Sequence, residues 1–211
     1  MNLPYHIQVT TEALGDLFSP TALKIIIQAN RGQDSLWNLV FGPKEFHFDD
    51  CKFESAYAWL ETEKNEIFTA LSENNAEAAL KALGRMTHAW QDFYSHSNYL
   101  SLWAASVGGE TLPPPQTTPP LHPDFIAHPD LVSGMVYLLE GLALIPSLAP
   151  LARRLLPPDA HANMNLDEPS RGPLFPHSLV AARKRTRHEV VQLLEAMDAS
   201  QRNAFTMLPT Q

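Results

Sequence analysis

His88-Ala89-Trp90-Gln91-Asp92-Phe93-Tyr94-Ser95-His96 decides how the rest of the chain is read. An α-helix turns once every ~3.6 residues, so positions i, i+4 and i+8 stand almost above one another on one face. His88, Asp92 and His96 occupy that spacing, and two imidazoles and a carboxylate then point the same way. Neutral His nitrogen and Asp oxygen are zinc ligands, and a helix face presents both without ordering a loop. A polar stripe on a helix is more commonly a solvated face. Here Trp90, Phe93, Tyr94, Tyr99 and Trp103 flank it and predict a helix enclosed by protein, where a charge requires a partner.

The 211 residues fit one domain spanning 1–211, with 45% hydrophobic and 18% charged content typical of a globular chain. Fifteen basic and 23 acidic residues give a net charge of -8. Such a field repels a polyphosphate backbone, which argues against nucleic acid as partner. Cys51 is the only cysteine, so neither an internal disulfide nor a thiolate zinc cage is available, and any metal must be held by His and carboxylate. The start Met1-Asn-Leu-Pro-Tyr-His-Ile-Gln has no basic and apolar leader, which predicts a cytoplasmic chain or leaderless export. The most apolar stretch, Leu131 to Leu156, is interrupted by Glu140, Pro146, Pro150, Arg153 and Arg154. It reads as a buried or interfacial helix pair, with core packing favoured, and not as a membrane span.

Periodicity and punctuation predict an all-α chain. Thr10 or Thr11 caps a short helix over Glu12 to Leu17. Ser19-Pro20 opens the next, with Leu23, Ile26 and Ile27 inward. Gly32 and Gly42-Pro43 punctuate a loop through Asp34 and His47. Long helices follow over Phe53 to Leu71 and Ala76 to Trp103. Seven prolines between 113 and 129 make 108–130 a long irregular loop, and 157–176 is a second. A last helix begins near His177 with Leu179, Val190, Leu193 and Leu194 inward. His6 stands ahead of the first helix, and His161 and Asp167 fall in the second loop. His122, His128 and His188 read as surface residues. Asp49, Asp50 and Glu54 read as complements to the dipole of the helix at Phe53.

The order His6, Asp34, His47, His88-x-x-x-Asp92, His96 and His177 resembles the zinc-dependent phospholipase C superfamily. Ile25-Ile-Ile-Gln-Ala-Asn30 through Asp34, His47-Phe-Asp-Asp50, Gln91-Asp-Phe-Tyr-Ser-His-Ser-Asn98 and Asn165-Leu-Asp167 look closest to its fungal heterokaryon-incompatibility C branch. The resemblance implies a multi-helix fold with a cleft holding two or three zinc ions. Asp34, His47, His88 and Asp92 would hold one, with Asp92 bridging to a second on His6. His96 and His177 would hold a third. Asp34 is the implied general base, and a phosphodiester of a phospholipid is the implied substrate, met in transient contact with a membrane surface. Ala181 stands where the pattern expects a Glu one turn after His177, leaving Asp167, with His161, as additional candidate ligands. Two other functions fit the same residues: a single-strand nuclease-like phosphodiesterase and a non-catalytic module stabilised by metal. Oligomeric state is left open.

Overall fold

The computed structural model describes residues 1–35, 44–145 and 147–208, with the side chains of Lys44 and Leu144 excepted. The expected breaks at Gly42-Pro43 and Pro146 lie outside the described residues. Ten α-helices are described: α1 (Leu3–Leu14), α2 (Pro20–Gly32), α3 (Phe53–Ser72), α4 (Ala76–His96), α5 (Tyr99–Val107), α6 (Pro123–Ile126), α7 (Ala149–Leu155), α8 (His161–Met164), α9 (Phe175–Ala196) and α10 (Ala199–Thr206). Short 3₁₀ turns cover Lys44–His47, Pro115–Thr117, Leu138–Leu144 and Pro169–Arg171. Among the described residues there is no strand, only isolated bridges joining Ser97 to Ser133 and Met135 to Ala160. The chain is all-helical.

Helix α4 is the axis of the fold. α2, α3 and α9 pack along it and α1 crosses it, so every residue from Met86 to His96 is buried. Its two faces differ in chemistry. Leu80, Leu83, Met86, Trp90 and Phe93 join the apolar core, while His88, Asp92 and His96 face the polar interior. The approach of α2 is close enough to exclude a side chain at Gly84. A Cβ there would lie 2.4 Å from the Ile26 carbonyl oxygen and 2.6 Å from the Ala29 Cβ.

Local chemistry accounts for the helix starts. The Ser19 side chain accepts from the Ala22 amide, with Pro20 in the first turn of α2. Asn75 caps α4 by accepting from Ala78, and Asp198 with Gln201 forms a reciprocal capping box on α10. The helix over Phe53 to Leu71 runs one residue further than expected.

Four expectations are corrected. α1 begins at Leu3, well before Glu12, because His6, Val9, Thr10, Ala13 and Leu14 form its buried stripe and Pro4 suits the first turn. His6 is thus a member of that helix and not a residue ahead of it. The helix expected to run from Ala76 to Trp103 breaks after His96. There Ser97 turns extended, Gly134 donates to the His96 carbonyl at 2.9 Å, and the Asn98 side chain pairs with Val132 and Asp130. Beyond the helix expected near His177, a further helix, α10, closes the core through Phe205. Finally, Leu131 to Leu156 is core only in part: Ala152 and Leu156 are buried and Leu131 packs on the core, but Leu138, Leu139, Leu142, Ile145, Leu148, Leu151 and Leu155 are all exposed.

The proline-rich stretch 108–130 contains the 3₁₀ turn Pro115–Thr117 and the four-residue α6, and side chains pin it to the core. The Tyr94 and Tyr99 hydroxyls donate to the carbonyls of Pro120 and Pro119, and Lys184 donates to that of Thr118. Gly84→Ala is expected to destabilise the protein by about 1–3 kcal/mol, because overpacking against backbone outweighs the gain of about 1 kcal/mol in helix propensity. Chemical denaturation of the two proteins measures the sign.

Candidate metal centre

Three local devices bring the polar groups together. The first is the α4 stripe. The second is α1, which lays His6 on it: the His6 and His88 rings stack at 4.2 Å. The third is the turn after the 3₁₀ segment, where Phe48, Asp50 and Cys51 all take left-handed backbone conformations with φ near 55°. The Phe48 ring is buried against Tyr57 and Phe93. Asp50 accepts from Val136 at 2.7 Å, and the Cys51 amide donates to Ser133 at 2.8 Å. That strained turn lets His47 and Asp49, two residues apart, both face inward.

Asp34, His47, His88 and Asp92 offer ligand atoms that all lie within 4.8 Å of one another. His88 Nε2 is 2.9 Å from Asp92 Oδ2, 3.1 Å from His47 Nδ1 and 3.5 Å from Asp34 Oδ1. His47 Nδ1 is 2.8 Å from Asp92 Oδ2. His6 Nε2 approaches the other Asp92 oxygen at 3.1 Å and Asp34 at 4.0 Å. The Met1 amino group also contacts Asp92 and lies 3.1 Å from Asp167.

A second set adjoins the first, with Asp49, His96 and His161 likewise mutually within 4.8 Å. His96 Nδ1 lies 3.2 Å from Asp49 and 3.1 Å from the His47 carbonyl, and Nε2 lies 3.3 Å from Asp167. Glu140 holds His161 Nδ1 at 3.3 Å and also accepts from the Ala162 amide. The backbone of α8 rests directly on Gly134, where a Cβ would sit 2.5 Å from the His161 Cα.

Of the residues singled out in the sequence, His6, Asp34, His47, His88, Asp92, His96, His161 and Asp167 converge. His177 does not join either set. Its Nδ1 pairs with Thr118 Oγ1 at 2.8 Å and its ring lies against Trp103, so it staples the proline-rich loop to α9. Asp49 and Asp50 do not serve the dipole of α3, which starts after Lys52 without a side-chain cap. Asp49 turns to His96 and Asp50 to the Val136 amide. Asp49 and Glu140 were missed as site residues. The pattern His47-x-Asp49 hides the left-handed residue between them, and Glu140 sits in a stretch whose composition reads as core.

The polar balance leaves both imidazole nitrogens and carboxylate oxygens unspent. His6 Nε2, His47 Nε2, His88 Nδ1, Asp49 Oδ1, His161 Nε2 and Asp167 Oδ1 are buried with no hydrogen-bond partner. Several lie within ion-pair distance of an opposite charge yet are not oriented to bond it. Buried polar atoms in such number call for a further ligand. The surroundings also fix ring orientation: His6 Nδ1 lies 2.6 Å from Gln91 Oε1, and Gln91 in turn donates to Thr10. With Nδ1–H given to Gln91, His6 Nε2 is left with its lone pair toward Asp92, the arrangement a metal-bound imidazole takes. Two carboxylates and neutral imidazoles in the first set match the charge of a divalent cation, so the residues fit zinc.

Protonation distinguishes the two sets. Burial pushes the His88 imidazole down to about 4, against the pull of Asp92, and burial likewise lowers His6. His96 goes the other way. Burial opposes its charge, but Asp92 and Asp49 outweigh it and hold the ring well above its ordinary value. Asp92 sits well below the carboxylate range because the charged groups around it outweigh its burial. His88 is therefore ready to take a cation, while His96 in the second set must first give up a proton.

A family model described as the VWA7 N-terminal domain matches residues 6–118, more than half of the chain. The chain belongs to the VWA7 N-terminal domain family. No curated protein and no solved structure matches it. This finding overturns the resemblance to the zinc-dependent phospholipase C superfamily and its heterokaryon-incompatibility branch. The motifs that carried it report the geometry any cation site on a buried helix needs, and that geometry does not establish descent. The VWA7 N-terminal domain match ends at residue 118, so α4 falls within it while His161, Asp167 and Glu140 lie beyond.

His88 gives the metal-free protein a definite pH dependence. A folded-state value of about 4 against an ordinary 6.5 means that the unfolded chain binds the proton first. The stability tied to the neutral ring is full above pH 6.5 and is lost as pH falls through about 4. At about 1.4 kcal/mol per pH unit this is on the order of 3 kcal/mol. Denaturation of chelator-treated protein across that window should show the loss, and His88→Gln should flatten it. An unchanged slope in the variant would show that other groups carry the acid sensitivity.

Proposed function

We propose that the chain is a metal-dependent phosphodiester hydrolase with zinc as its cation, held by Asp34, His47, His88 and Asp92 and flanked by His6. Asp49, His96 and His161 would hold a second ion. The observation that carries this reading is the buried cluster itself, in which Asp34, His47, His88 and Asp92 bring ligand atoms within 4.8 Å of one another while one member stays open to solvent. His6, His88 and Asp92 are closed off, but the Asp34 side chain keeps 27% of its surface exposed. A structural zinc site is closed on all sides, and a catalytic one keeps an open position.

When bound, zinc acidifies water toward a pKa of ~7 and offsets the negative charge of a phosphodiester. The protein's own groups do the rest. Asp34, the exposed ligand, is placed to accept the proton of the attacking water as its oxygen bonds to phosphorus. The bond from phosphorus to the alcohol oxygen breaks, and the released alcohol takes a proton from solvent. His47, His88 and Asp92 are buried and held by their contacts with one another. Gln91 and Glu140 fix the rings of His6 and His161. The family name carries no chemistry for this step, so the proposal rests on the site alone.

Protein purified without a nickel column should contain zinc by plasma emission analysis and should hydrolyse p-nitrophenyl phosphorylcholine. His88→Ala and Asp92→Ala should lose the metal and lower turnover at least ~100-fold, a loss of about 2.7 kcal/mol of transition-state stabilisation. Gln91→Leu should weaken zinc binding by roughly 10–100-fold through ring orientation alone. Added zinc should raise the melting temperature of the chelated wild type and leave His88→Ala unmoved. Full zinc content with no turnover would assign the metal to folding instead.

A further inference from the structure

The stretch Leu138 to Leu155 carries seven of the ten exposed large hydrophobic side chains among the described residues. Leu138 is 99% exposed, Leu155 67% and Leu151 58%. A concentration of this kind on one segment marks an interaction surface, whereas singly scattered leucines do not. The charge of the segment runs against that of the whole. The protein carries a net -8, yet the exposed charged residue of this segment is Arg154, in the last turn of α7, with Arg153 half-buried beside it. Its single acid, Glu140, is turned inward onto His161 and the Ala162 amide.

We propose that this surface docks on a lipid bilayer rich in anionic headgroups and so presents a membrane phosphodiester to the metal centre. The leucines are exposed, Leu138 almost completely, which suits insertion between acyl chains. Arginine stems extend along the apolar layer and leave their guanidinium groups at headgroup depth. Juxtaposed apolar and basic residues add hydrophobic burial to electrostatic attraction, the pairing that interfacial segments use. No helix among the described residues is long and apolar enough to cross a membrane, so the contact is peripheral.

The 3₁₀ turn Leu138–Leu144 has two sides. Leu138, Leu139 and Leu142 face out, and Glu140 reaches in to His161, whose other nitrogen lies 4.0 Å from Asp49. The residue that orients one candidate ligand therefore belongs to the same turn that would meet the lipid. This inference deepens the hydrolase reading by naming its substrate as membrane phospholipid, and it rests on that reading only for turnover, not for docking.

Sedimentation of residues 1–211 with vesicles of equimolar phosphatidylcholine and phosphatidylserine, and of phosphatidylcholine alone, tests the docking. The protein should sediment with the mixed vesicles. Leu138→Asp combined with Leu151→Asp should weaken partitioning at least about tenfold, with zinc content and helical circular dichroism unchanged. Arg154→Gln should remove the preference for the anionic vesicles and leave the binding to phosphatidylcholine as it was. A wild type that stays in the supernatant with both compositions overturns the proposal, as does a double variant that partitions like the wild type. Self-association that is abolished in the double variant, with no vesicle binding by either, would assign the surface to a second copy. Turnover of the soluble ester without vesicle binding leaves the hydrolase standing and removes the docking, and vesicle binding without turnover does the reverse.

Discussion

The Asp92 carboxylate is buried in the middle of the fold, and the surrounding structure is arranged to make that tolerable. An isolated carboxylate in such a position is driven to neutralise. Asp92 instead meets His6, His47, His88, His96 and the Met1 amino group on its two oxygens. Each partner comes from a different part of the chain or a different turn of α4. Removal of any one takes a polar partner from a carboxylate that water cannot reach, so the cluster constrains α1, the turn at His47 and α4 at once. A divalent cation answers the same need more completely, since it gives the carboxylates and the facing imidazole nitrogens one positive centre.

The opposite face of α4 carries another buried charge handled in a different way. Arg185 of α9 is 1% exposed, with its guanidinium group over Phe93 at 5.1 Å and near Tyr57 and Phe48. Aromatic faces and Glu189 at 3.5 Å surround it. Phe48 is the residue whose left-handed conformation separates His47 from Asp49, so the packing around Arg185 also bears on the site. Sparsely populated backbone conformations persist only where the surroundings over-determine them. Here those surroundings are the Phe48 pocket on one side and the bonds from Gly134, Ser133 and Val136 on the other.

The sequence made the helical class and the α4 stripe readable because both depend on local periodicity. His88, Asp92 and His96 are turns of one helix, and Ser19-Pro20 is a cap that acts within four residues. Convergence of His6, Asp34 and His47 on that stripe is nonlocal, and it was readable only through the chemistry expected of the residue types. Where the reading failed, one distance scale was mistaken for another. Asp49 looked like a helix-dipole complement because the conformation of Phe48 cannot be seen in the letters. His177 looked like a ligand through the family resemblance, but Thr118, fifty-nine residues away, takes its nitrogen. Ser97 breaks a helix that propensity would continue, since the His96 carbonyl is claimed by Gly134.

The apolar segment 138–155 shows why hydropathy is a one-way guide. Composition alone reads such a stretch as core, because burial of leucine is the commonest outcome. Core membership, however, needs a partner face, and α2, α3 and α9 already enclose α4 while the proline-rich loop covers the ends of α5 and α9. Among the described residues from 138 to 160, Glu140, Ala152, Leu156 and Ala160 are the buried ones. Pro150 and the helix-poor run around Ile145 prevent one long amphipathic helix, so the side chains cannot all turn to the same inner face. The segment is consequently anchored at its acid and its small residues and left apolar outside. Any account of the protein's function therefore has to say what covers those leucines as well as what fills the space between its histidines.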